Sequence, residues 1–94
     1  MTKRNILLLF TDQMRADCIH ALGNPVIQTP ALDALAADSL VFEKCYTPSP
    51  VCVPARYSMM TGLYPARTGS SNNQYKGHYT GDGMYARLSA NGYD

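Results

Sequence analysis

Charge is scarce in this chain: eight basic and seven acidic residues among 94 leave a net charge of +1 at neutral pH. So balanced a surface gives no electrostatic footing for nucleic acid or for an anionic membrane face. Long apolar runs are missing as well. The run near the start, Ile6 to Phe10, is five residues long, against roughly 7–15 for a secretory core segment and about 20 for a membrane span. We therefore expect no signal peptide, no membrane partner and a cytoplasmic location. Cysteine occurs three times, at positions 18, 45 and 52, with no C-x-x-C spacing. An odd count without that spacing argues against a disulfide framework or a structural zinc site, and for a reducing compartment. Internal repeats and low-complexity tracts are absent too. Yet 46% of the residues are hydrophobic, which is ordinary for a globular chain and excludes disorder by composition.

What is there reads as alternating strand and helix. Ile6 to Phe10 has the continuous apolar character of a strand buried on both faces of a parallel sheet. The polar segment from Thr11 to Ile19 then lies at its carboxyl end, where open α/β sheets place ligands. Thr29-Pro30 reads as a helix start, with Thr29 as N-cap and Pro30 in the first helical position. Leu32, Leu35 and Ala36 share one face of that helix, and Asp38-Ser39 ends it. Leu40 to Tyr46 is a second strand candidate. Pro48, Pro50 and Pro54 break regular structure and deliver Cys52 on a rigid turn. A helix is expected from near Pro54 to Met60, with Gly62 as its stop. Ser70 to Gly83 reads as a loop, and Met84 to Ala90 as a short helix capped by Asn91-Gly92. Two strands and a few short helices do not complete a doubly wound sheet. We therefore expect the whole chain, residues 1–94, to be the truncated N-terminal part of a larger α/β catalytic domain.

One segment carries most of the functional information. Cys52-Val53-Pro54-Ala55-Arg56 followed by Thr61-Gly62 has the form C-x-P-x-R-x-x-x-x-T-G. Three such fixed positions arise by chance on the order of once in a few hundred chains of this size. The segment resembles the signature of the type I sulfatases, whose cysteine is oxidised after translation to formylglycine. Three more segments agree with that family. Thr11-Asp12-Gln13 stands where sulfatases usually carry two adjacent acidic metal ligands. Gln28 to Ala36 is similar to the family's T-P-N-L-D-x-L-A helix, and Gly62 to Gly69 to the turn after the signature. A weaker echo lies at Leu88 to Tyr93.

The resemblance implies a mostly parallel sheet flanked by helices, of the alkaline phosphatase type, and hydrolysis of a small-molecule or carbohydrate sulfate ester. It makes Cys52 the formylglycine precursor, matured by a formylglycine-generating or equivalent enzyme, and Arg56 its polarising partner. The aldehyde hydrates to a geminal diol: one hydroxyl attacks sulfur and expels the alcohol, and the other loses its proton so that sulfate leaves. Asp12 and Gln13, with the converted Cys52, become ligands of a divalent cation. Calcium is expected first, with magnesium or manganese as alternatives. Gln13 departs from the family's acidic pair but still offers a hard carbonyl oxygen. An unconverted thiolate would be a soft ligand in that hard-oxygen site.

Other polar residues point less far. His20 and His78 have the chemistry of general acids, although a lone loop histidine is more often solvated. Arg15 could meet a substrate anion or simply be solvated. Tyr75, Tyr79 and Tyr85 could line a pocket. Gly81-Asp82-Gly83 is too short for a phosphate-binding loop, and no cysteine and arginine stand six apart as in a phosphatase signature. The family's remaining metal and sulfate contacts have no matching positions here, so the 94 residues alone are expected to be inactive. Phosphonate or phosphodiester hydrolysis and a non-enzymatic remnant are the rival readings.

Overall fold

Proline and glycine mark most helix boundaries in the computed structural model, which describes residues 3–74, 77–78, 81 and 83–93. The chain divides into two units, Met1–Glu43 and Lys44–Asp94.

In the first unit, a 3-10 turn at His20–Leu22 packs against helix α1, Pro30–Ala37. Thr29 and Pro30 hold the N-cap and first-turn places their sequence implies. The Thr29 hydroxyl, however, does not cap its own helix. It donates to Asp33 Oδ1 at 2.8 Å and accepts from the His20 N–H at 2.9 Å. The same Asp33 oxygen accepts from the Ala21 N–H at 2.9 Å. One carboxylate in the first turn of α1 thus holds the 3-10 turn against the helix.

The Ala21 N–H is the main reason the Asp33 carboxyl sits below the usual carboxylate range, helped by the Thr29 hydroxyl and opposed by desolvation. A carboxylate depressed in the folded state adds stability above its unfolded pKa and loses it as pH falls through the depressed value. Protection of the Ala21 amide from hydrogen exchange is therefore expected to fall as pH drops below the ordinary carboxylate range. Asp33→Ala should erase that pH dependence; an unchanged profile in the variant would assign the tie to another group.

The expected strands do not form. Among the described residues there is no strand: Ile6–Phe10 lacks regular structure, and Leu40–Tyr46 is interrupted by a turn at Glu43-Lys44. The reason is physical. A strand needs a neighbour to receive its N–H and C=O groups, and no described segment supplies that ladder. The five side chains of Ile6–Phe10 are all exposed, Leu7 to 83%.

In the second unit, α2 (Cys52–Thr61) packs against α3 (Pro65–Thr68) and α4 (Met84–Ala90). Helix α2 begins two residues before the expected Pro54, so Cys52 occupies its first turn instead of a turn ahead of it. Pro54 is tolerated there because its missing N–H would have had no intrahelical acceptor. The ladder opens with the Ala55 N–H on Val51 O at 2.9 Å. Gly62, in the left-handed region at φ 71°, closes it by donating to Ser58 O at 2.8 Å. Helix α4 ends in a Schellman arrangement: Gly92 N–H to Ser89 O at 2.8 Å and Tyr93 N–H to Leu88 O at 3.1 Å.

The interior of this unit is polar. Pro54, Ser49, Ser58, Thr68 and Ser70 are buried, whereas no hydrophobic residue among those described is fully buried. Ser58 Oγ is enclosed without a hydrogen-bond partner among the described residues. No described helix is long and apolar enough to cross a membrane.

Candidate active site

The proposed metal pair lies in the first unit. Asp12 and Gln13 follow the apolar run in a bend, and both are exposed. Gln13 has φ 52°, making it the non-glycine residue with positive φ among those described. A backbone held there costs about 1–3 kcal/mol and collects at functional sites. The two adjacent residues carry a carboxylate and an amide carbonyl, hard oxygens of the kind that suit calcium or magnesium. Calcium takes roughly 6–8 such ligands, so the pair fits in kind and falls short in number. No group of three or more His, Cys, Asp or Glu gathers among the described residues.

Arg15 directs its charge at a neighbouring side chain. Its guanidinium forks onto the Asp17 carboxylate, with Nε to Oδ1 at 2.9 Å. That hydrogen bond raises the Arg15 pKa and is the main cause of the lowered Asp17 value. Both side chains are exposed, so the pair is a surface feature.

The second unit holds the signature. Cys52 and Cys45 are exposed, Cys18 is half-buried, and none of the three is in a disulfide. Arg56 follows one turn later on α2, at the i, i+4 spacing that places two side chains on one helix face. It lines an open groove of about 680 Å³ with Tyr57, Met60 and Thr61 of α2 and Met84 and Tyr85 of α4. The structure thus brings Cys52 and Arg56 together on one helix, and Asp12 and Gln13 together in one turn of the other unit.

The histidines serve as framework through their main chains: His20 N–H binds Thr29 Oγ1, and His78 N–H binds Thr68 O at 3.1 Å. Tyr85 reaches the groove as one of the three tyrosines considered for a pocket; Tyr75 and Tyr79 lie outside the described residues, as does Asp82. One residue escaped the sequence reading. The Asn73 side-chain carbonyl accepts from the Val53 N–H at 2.9 Å, next to Cys52. Only the asparagine itself, inside a Gly/Ser/Asn stretch, hinted at a cap, and nothing local indicated which helix it serves.

Comparison with known proteins bears on the family of this chain. The sulfatase family model matches residues 4–94. An ulvan-active sulfatase of Formosa agariphila is 44% identical over 68 residues, covering 72% of this chain and 13% of that protein. An arylsulfatase of Clostridium perfringens is 46% identical over 61 residues, 65% of this chain and 13% of the relative. The human N-acetylgalactosamine-6-sulfatase is 38% identical over 78 residues, 81% of this chain and 15% of the relative. The chain therefore spans about one seventh of the length of these relatives. No solved structure matches it. With the family model covering nearly every residue and the C-x-P-x-R segment opening α2, the chain belongs to the sulfatase family.

Proposed function

We propose that these residues form the N-terminal part of a sulfuric ester hydrolase, with Cys52 as the residue converted to formylglycine. The observation that carries the reading is the opening of α2: an exposed cysteine in the first turn and an arginine one turn on, beside an open groove. Formylglycine, once made, supplies a hydrated aldehyde whose oxygen attacks sulfur and whose reformation releases sulfate. The other candidate residues have simpler tasks. Arg56 holds and polarises the nucleophilic oxygen with a fixed fork of donors. Asp12 and Gln13 lend two hard oxygens to a divalent cation, calcium before magnesium or manganese, which offsets the charge of the sulfate. The substrate is a sulfate ester, and sulfated carbohydrate is the favoured class because relatives bear the names ulvan-active and N-acetylgalactosamine-6-sulfatase.

The same reading accounts for the bare surface. Ile6 to Phe10 and Leu40 to Tyr46 become strands of a mostly parallel sheet only when the rest of a sulfatase domain supplies their neighbours. Their exposure among these 94 residues supports that view. It follows that the 94 residues alone do not turn over.

Mass spectrometry of the Cys52 peptide tests the maturation half: loss of sulfur and gain of an aldehyde is expected, and an unmodified thiol throughout the active protein would overturn it. Parallel assays on an aryl sulfate and an aryl phosphodiester, using the polypeptide that carries these residues, test the reaction. Sulfate release is expected to dominate. Gln13→Asp tests the metal half. It adds a second anionic oxygen next to Asp12, so calcium affinity should rise about tenfold or more, read by calorimetric titration. Unchanged affinity would remove Gln13 from the ligand set.

A further inference from the structure

Helix α2 has a defect at its start. Its N-cap is Val51, whose side chain has no oxygen to offer, and valine is among the poorest residues for that place. The acceptor comes instead from Asn73, twenty residues away, whose Oδ1 takes the Val53 N–H at 2.9 Å. We propose that Asn73 is a positioning residue: it fixes the first turn of α2 and thereby the direction in which Cys52 leaves the helix.

The loop that carries Asn73 is built to hold it there. It leaves α3 at Gly69, in the left-handed region at φ 73°. It then passes through Ser70, whose side chain is wholly buried and whose N–H donates to Thr68 Oγ1 at 3.3 Å. Asn72 Oδ1 accepts from the Gln74 N–H at 2.9 Å, turning the chain at Asn73 itself. The loop comes back on the buried Thr68, where His78 N–H donates to Thr68 O at 3.1 Å. At Gly77 the backbone lies so close that a Cβ would stand 2.6 Å from Thr68 O and 3.1 Å from Ser70 Cβ. Only glycine fits that approach without moving main chain. Gly77 is thus the clasp of the loop, and Asn73 the tooth that engages α2.

The inference rests on Cys52 being the reactive residue, but its test does not depend on turnover. In the polypeptide that carries these residues, Asn73→Ala should speed hydrogen exchange at the Val53 amide about fivefold, the effect of losing one cap. Exchange at Leu88 and Ser89 in α4 should stay unchanged. Asn73→Asp keeps an acceptor in place and should restore Val53 protection. Gly77→Ala should reproduce the Asn73→Ala effect, and the double variant should add little to either, since both remove one contact. Turnover is then read per molecule of formylglycine-bearing enzyme: kcat should fall in Asn73→Ala with KM little changed, and recover in Asn73→Asp. Unchanged Val53 exchange in Asn73→Ala would refute the clamp, and so would equal loss of protection across all helices. Faster Val53 exchange with full kcat would leave Asn73 a cap and refute its positioning of Cys52. Val53 exchange that responds as expected in a protein without sulfatase activity would overturn the functional reading and leave the cap standing.

Discussion

Cys52→Ala is expected to lower sulfate-ester turnover by about 10⁴-fold or more in the polypeptide that carries these residues. Losses of that order follow removal of a covalent nucleophile, because the positioning and electrostatic parts of the site cannot replace the bond it makes. The site also explains why the loss should be confined to this cysteine. Cys45 is also exposed and lies in the same unit, but no arginine follows it one turn later and no helix begins there. Cys45→Ala should therefore leave kcat and KM unchanged. The side chain at 52 is exposed, so its truncation opens no cavity, and the thermal midpoint of Cys52→Ala should stay close to that of the parent. The measurement is kcat on an aryl sulfate together with the aldehyde content of the peptide. A Cys52→Ala protein that keeps most of its turnover ends the formylglycine reading outright.

What the sequence made legible follows the range of the interactions involved. Helix boundaries were readable wherever one residue's backbone preference decided them: Pro30 at the start of α1, Gly62 after α2, Gly92 after α4. The signature was readable because its chemistry is packed into five residues of one helical turn. The positive φ of Gln13 was not readable, since glutamine has no bias toward that region. The expected strands are absent among the described residues because apolar character shows that a segment must be covered but does not supply the neighbour that covers it. Ile6–Phe10 keeps that character while exposed. Pro54 misled the start of α2, since proline is compatible with several places in a first turn. Asn73 could not be found at all: its value lies in a contact across twenty residues. Local chemistry can be read from sequence, whereas a contact that depends on loop closure requires coordinates.

Substitutions at Arg56 are expected to separate electrostatic from geometric contributions to the proposed catalysis. Loss of a fixed donor aimed at developing charge costs about 10²- to 10³-fold in kcat, and Arg56→Ala should fall in that range. Alanine alone is a poor test, because the arginine stem also lines the groove with Tyr57 and Met60 and its loss removes packing. Arg56→Met keeps most of the apolar stem and removes the charge, so its kcat should match that of alanine while its thermal midpoint stays nearer the parent. Arg56→Lys then makes the decisive comparison. Lysine restores a positive charge but not the planar fork, so it should recover much of KM by attracting the sulfate anion. It should recover little of kcat if Arg56 holds the nucleophilic oxygen by paired hydrogen bonds. Full recovery of kcat in Arg56→Lys would show that charge alone suffices, and would move Arg56 from orienting the nucleophile to steering the anion.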